Sequence, residues 1–200
     1  MAITTEQIKK LRQATGAPVL DVKKALEAVG GDFDKAVIWL REKGLTAAAK
    51  KGGREARNGV VELYSHGEGR VGVMVEVNCE TDFVARTESF RHFAHEVALQ
   101  VAAANPRWLT VEEVPADVLE REREIARRRA LEEGRPESAL GNIAEGRLQK
   151  FLDEAVLMRQ PYIRDEKRPV SDLLKENIGQ IGENIVIRRF TRWELGDTAD

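Results

Sequence analysis

The nine residues Val71-Gly72-Val73-Met74-Val75-Glu76-Val77-Asn78-Cys79 constrain the fold more than any other stretch of the chain. Their four valines recur at every second position, so an extended strand gathers them on one face, whereas a helix would scatter them around its axis. A strand with one apolar face needs neighbours for its backbone and a layer to cover that face. One neighbour lies just upstream. Val60 to Ser65 reads as a strand, joined to Val71 by the turn residues His66-Gly67-Glu68-Gly69. The other lies near the far end of the chain, at Glu183 to Trp193. Helical patterns fill the interval. Thr87 to Ala104 places Phe90, Phe93, Ala94, Val97, Val101 and Ala104 on one side and stops at Asn105-Pro106. Ala116 to Glu133 and Ser138 to Val156 flank the breaker Gly134-Arg135-Pro136, and a short helix is expected near Val170 to Glu176. Arg127-Arg128-Arg129 suits the closing turn of its helix, where cations face the negative end of the dipole. Strands drawn from both ends, with helices between them, predict an α+β domain over residues 59–196 rather than alternating βαβ units.

Ahead of it, residues 1–44 carry three short amphipathic stripes separated by glycine. The first follows the caps Thr4 and Thr5, buries Ile8 and Leu11, and stops at Gly16. The second spaces Val22, Ala25, Leu26 and Val29 at helical intervals and ends at Gly30-Gly31. The third starts at Asp32, repeats the spacing with Phe33, Ala36, Val37 and Leu40, and is expected to end at Gly44. Three such stripes predict a small helical module. Residues 45–58, rich in alanine and basic charge, read as a linker. Residues 197–200 read as a polar tail.

Composition narrows the function. A formal net charge of −2 over 200 residues gives no global basic field, so no nucleic-acid partner is expected, and the basic run Lys50-Lys51-Gly52-Gly53-Arg54 reads as a solvated tether. Charged residues make up 33% of the chain, and arginine outnumbers lysine about two to one, a bias shared by ion-paired stable surfaces and arginine-rich genomes. No stretch of roughly 18 apolar residues occurs, so no membrane contact is expected, and the N-terminus lacks the apolar block of a secretory signal. The only cysteine, Cys79, excludes an intramolecular disulfide and fits a cytoplasmic location.

Catalytic chemistry is sparse. The phosphate loop G-x-x-x-x-G-K-[ST] is absent, and Gly67-Glu68-Gly69 sits in a hairpin rather than before a helix, so no nucleotide or other cofactor is expected to be bound. His92 and His95 are three residues apart on one helix, yet no further ligand stands at a recognised spacing, so they read as surface or packing residues rather than a metal site. Cys79 would need a base such as His95 to act as a nucleophile, and a buried small hydrophobe is the alternative role.

The strand from Val71 runs into Thr81-Asp82-Phe83-Val84, where cap residues start a helix and place an aromatic ring at the corner. Phe83 either plugs the local core or protrudes as a wedge. The stretch Val75-Glu76-Val77-Asn78-Cys79-Glu80-Thr81-Asp82-Phe83-Val84-Ala85 closely resembles the signature of the elongation factor Ts family. So do Leu11-Arg12-Gln13-Ala14-Thr15-Gly16-Ala17-Pro18-Val19-Leu20-Asp21-Val22-Lys23-Lys24-Ala25-Leu26 and Glu145-Gly146-Arg147-Leu148-Gln149-Lys150-Phe151 with Gln160-Pro161-Tyr162. The three segments stand in the family's order and span most of the chain.

The resemblance implies a guanine-nucleotide exchange factor for the translation GTPase elongation factor Tu, acting by binding and not as an enzyme with its own side-chain chemistry. It implies a ubiquitin-associated-like fold for residues 1–44. It also implies that Thr81, Asp82, Phe83 and Val84 press near the magnesium-supporting elements of the GTPase, and that Arg12, Val19, Leu20 and Lys23 form a second grip. Relatives often have glycine at Pro18 and methionines at Val19 and Leu20. The pair stays apolar here, and packing within the three-helix core is its other reading. Gln100 stands where long relatives commonly have a histidine that touches the partner. Longer members carry two core subdomains and this chain one, which implies a homodimer. A non-enzymatic RNA-binding or ubiquitin-like-protein-binding module is the alternative from another class, since small helical bundles host many partners. It assigns nothing to Thr81–Val84.

Overall fold

The computed structural model describes residues 3–197, Leu45 by its backbone alone; residues 198–200 of the expected tail lie outside the described residues. Helices and an antiparallel sheet make up the protein, as the α+β expectation required. The strands β1 (Asn58–His66), β2 (Val71–Cys79) and β5 (Ile185–Glu194) form one sheet in the order β1-β2-β5, so the valine strand is central. Val71, Val73, Val75 and Val77 are buried, while Gly72 and Met74 between them are exposed. The chain forms two compact units that are not contiguous in sequence. The first takes the residues up to Glu62, with Glu76–His95 and Asp172–Arg188. The second takes Leu63–Val75, Glu96–Ser171 and the residues from Arg189 onward.

In the first unit, α1 (Thr5–Thr15), α2 (Val19–Ala28) and α3 (Phe33–Lys51) close around Leu11, Ala17, Val22, Ala25, Leu26 and Ala36. Thr4 and Gln7 cap α1 reciprocally: the Thr4 hydroxyl accepts from the Gln7 amide at 3.2 Å, and the Gln7 side chain accepts from the Thr4 amide at 2.9 Å. Asp32 caps α3 by accepting from the Lys35 amide.

The third helix does not stop at Gly44 as its sequence suggests; it runs seven residues further, to Lys51, through part of the stretch read as a linker. Gly44 is there because α8 (Val170–Ile181) lies against it. A Cβ on Gly179 of α8 would stand 2.7 Å from the Gly44 Cα. Glycine costs helix stability, and here that cost admits a close backbone crossing. Arg41 fastens the same pair of helices, reaching Asp172 at 3.1 Å and Glu176 at 3.3 Å, and Gln180 Nε2 donates to the Thr15 carbonyl at 2.6 Å. Helix α8 is itself five residues longer than its sequence pattern indicates.

In the second unit, α6 (Ala116–Glu132) and α7 (Glu137–Ala155) form a helical hairpin. The small residues Ala126 and Ala130 are the buried positions of α6, opposite the larger Leu140, Leu148 and Leu152 of α7. Trp108 and Phe151 meet edge to face at 6.1 Å beside the cluster Val114, Leu148, Leu152 and Val156. Arg147 holds Glu133 near the tip through two bonds of 2.7 and 2.8 Å.

A second hairpin, β3 (Pro161–Tyr162) with β4 (Asp165–Pro169), was not expected from the sequence. Two residues are too short a strand to show an alternating pattern. Side chains hold it instead. Glu96 is 3% exposed on α5 (Glu88–Ala104), accepts from the Tyr162 hydroxyl, and takes Arg164 at 2.5 and 2.9 Å. Burial, followed by the neighbouring Glu96 carboxylate, pushes the Tyr162 phenol up to about 12.

Three glycine replacements test this packing by urea unfolding. Gly179→Ala should cost about 1–3 kcal/mol, as overpacked contacts do. Gly59→Ala should cost more, because the added Cβ would lie 2.1 Å from the Val77 carbonyl oxygen at a φ of 151°. Gly141→Ala, in open space on α7, should stabilise by roughly 0.5–1 kcal/mol. A neutral Gly179→Ala would show that α3 and α8 are not in close contact.

Candidate functional site

Strand β2 ends at Cys79, and the chain turns through Glu80 and Thr81 into α4 (Asp82–Ala85). Thr81 has the extended backbone of a helix cap, and its hydroxyl accepts from the Val84 amide at 3.3 Å. At the other end, the Thr87 hydroxyl donates to the Val84 carbonyl at 2.8 Å and accepts from the Phe90 amide at 3.3 Å, so one threonine closes α4 and opens α5. A single helical turn has almost no stability of its own. Its shape is imposed by these caps and by Ala85, which is buried.

Phe83 is 79% exposed on this turn. It does not plug the core; Ala85, Phe90 and Phe93 are the buried side chains there. The outward ring leaves a large apolar surface in water, where it is open to contact with a partner. Asp82 is exposed and accepts from Arg86 at 3.0 Å. It sits in the first turn, where a carboxylate suits the helix dipole, but the cap is Thr81. Val84 is half-buried.

Beneath the turn, Thr81 is gripped at every polar atom. Glu183, in the loop before β5, accepts from the Thr81 hydroxyl at 2.6 Å and from its amide at 3.0 Å, while the buried Cys79 thiol donates to its carbonyl at 3.1 Å. The tie is reciprocated. Glu80 accepts from the Asn184 amide at 2.6 Å, and the Asn184 side chain donates to the Arg54 carbonyl at 2.7 Å. Burial, then the Glu183 charge, push the Cys79 thiol up to about 11. A thiol held neutral in this way is a poor nucleophile. His95, the one base proposed for it, makes a 2.9 Å contact with Glu62.

The second group of residues lies on α1 and α2. Leu20 is 72% exposed and Val19 is also exposed, so neither belongs to the three-helix core. With Lys23 they occupy adjoining positions of one α2 face, and Lys23 pairs with Glu27 at 3.7 Å. Arg12 is exposed near the end of α1, and Pro18 precedes α2 as its cap residue. Among the described residues, no hydrogen bond or ion pair joins this group to Thr81–Val84. Gln100 is 1% exposed and donates to Gln160 at 3.1 Å and to the Pro161 carbonyl at 3.2 Å, so it is no surface contact. Among the described residues, no three or more His, Cys, Asp or Glu side chains gather as a metal would need, and no helix is long and apolar enough to cross a membrane.

The sequence reading missed Glu183 and Glu80. Their partners lie 102 and 104 residues away, and nothing local distinguishes either carboxylate from a solvated one.

The family described as "Elongation factor TS" matches residues 49–197. The elongation factor Ts of Caldanaerobacter subterraneus subsp. tengcongensis is 56% identical over 195 residues, covering 98% of each chain. That of Carboxydothermus hydrogenoformans is 54% identical, covering 98% of this chain and 90% of the relative. That of Coprothermobacter proteolyticus is 52% identical over 197 residues, covering 98% of this chain and all of the relative. These matches establish that the chain belongs to the elongation factor Ts family.

Proposed function

We propose that this protein promotes loss of guanine nucleotide from elongation factor Tu, with Phe83 as the intruding group. The observation that carries the reading is the exposed ring on a turn gripped from below. A side chain transmits force to a partner only if its own backbone does not yield, and Thr81 supplies that resistance. The reaction needs no catalytic side chain. A factor that binds the nucleotide-free GTPase better than the loaded one weakens nucleotide binding by the same factor, by linkage. Magnesium bridges phosphate and protein oxygens in such GTPases, so a wedge that disturbs its supporting shell loosens the nucleotide. Thr81 and Val84 set the corner, and Asp82 is placed for a polar contact.

Residues 1–44, with a ubiquitin-associated-like arrangement, form the second grip, through Leu20, Val19, Lys23 and Arg12. The exposure of Leu20 favours docking over a role in the core. Homodimerisation belongs to the same reading. Leu63, Met74, Trp193 and Leu195 are all exposed on or beside the strands, with Trp193 at 77%. Apolar side chains gathered on sheet strands suit a second copy of the same chain.

Release of a fluorescent GDP from elongation factor Tu tests the exchange reading. Phe83→Ala should slow the stimulated release roughly tenfold or more, as loss of an aromatic anchor does. Its unfolding free energy should stay within about 0.5 kcal/mol of the parent, since the ring is exposed. Leu20→Ala should instead raise the concentration needed for half-maximal stimulation. Failure of the wild-type chain to accelerate release would overturn the proposal. Sedimentation velocity tests the dimer: the wild type should sediment as two chains and Trp193→Glu as one, and a monomeric wild type would remove that part.

A further inference from the structure

We infer that Glu183 is a positioning residue for nucleotide exchange, acting through Thr81 on the attitude of Phe83. The inference rests on the wedge reading above and adds the group that makes the wedge stiff. Three observations carry it. The Glu183 carboxylate spends both oxygens on Thr81, one on the hydroxyl at 2.6 Å and one on the amide at 3.0 Å. That same hydroxyl is the cap of α4, accepting from Val84, so the carboxylate fixes the group that defines the turn. The turn holds only four residues, too few to keep its own geometry. A hydrogen bond to a charged group is stronger and more directional than a neutral one, which suits it to hold a short element in place.

The neighbouring tie runs in the opposite direction, from Glu80 to the Asn184 amide at 2.6 Å. Two successive residues of the corner therefore meet two successive residues of the β5 lead-in, each pair contributing one carboxylate. Such a cross-tie resists rotation as well as separation. Without Glu183, the Glu80–Asn184 bond still holds the segments together, while Thr81 keeps the Cys79 thiol at its carbonyl but loses the carboxylate that fixes its amide and hydroxyl. The expected loss is therefore one of orientation. A ring that spends only a fraction of its time in the productive attitude delivers only that fraction of its effect.

A double-mutant cycle on stimulated GDP release tests this with the full-length protein. Glu183→Ala should lower the maximal release rate about tenfold, with little change in the concentration giving half-maximal stimulation, because the α2 contacts are untouched. Glu183→Gln should recover most of that loss: its amide oxygen accepts from the Thr81 amide, and its NH2 donates to the hydroxyl. In a Phe83→Ala background, Glu183→Ala should cost nothing further, since groups that act as a unit are not additive. A Glu183→Ala rate equal to wild type would overturn the inference, as would an equal tenfold loss in the Phe83→Ala background. Full release by Phe83→Ala alone would instead sink the wedge reading itself. If circular dichroism shows Glu183→Ala unfolded, Glu183→Asp, whose shorter side chain draws the carboxylate away from Thr81 while leaving the Thr81 cap intact, repeats the cycle. Loss of rate that depends on Phe83 then supports the inference, and loss independent of Phe83 overturns it.

Discussion

A carboxylate that accepts two hydrogen bonds from one threonine underlies the geometry of the corner that carries Phe83. Cap, turn and outward ring all follow from where Thr81 is held. Glu183 reaches it across 102 residues of sequence, so the turn is only as good as the fold that delivers the loop before β5. The central strand delivers the other half. Its buried valines fix the end of β2, and Cys79, the last residue of the strand, donates to the Thr81 carbonyl from below.

The same economy appears in the second unit, where a buried carboxylate also organises a weak element. Glu96 satisfies Tyr162 and Arg164 together, and both lie in or beside a hairpin whose first strand is two residues long. A lone buried charge would be costly, and a pair with imperfect geometry scarcely better. Here the hydroxyl and the bidentate guanidinium between them meet the carboxylate's demand. Backbone regularity supplies the long strands and helices, while charged hydrogen bonds supply the short elements that regularity cannot stabilise.

What could be read from the sequence divides along that line. Period-two valines and helical apolar stripes are local, and they placed the central strand, its hairpin partner, the long helices and the α+β class. The corner was legible because cap residues follow directly on a strand. The outward aim of Phe83 was not, since on pattern alone an aromatic at such a position more often packs inward. The long-range partners were illegible for a physical reason: a glutamate bound to a residue over a hundred positions away looks like any surface glutamate. Gly44 misled in an instructive way. Glycine both ends helices and lets them touch, and only the approach of Gly179 decides between these roles.

Helix α8 carries the last consequence. Along its length it meets Arg41 near its start, Gly44 at Gly179 and the Thr15 carbonyl at Gln180. Two and three residues beyond its end, Glu183 and Asn184 seize the corner. One stiff rod thus touches α1 and α3, which pack against the helix that bears Leu20, and leads straight into the mount of Phe83. It acts as a gauge whose length sets the span between them. At about 1.5 Å of rise and 100° of turn per residue, adding or removing one residue in α8 would misdirect the mount even with every contacting side chain left in place.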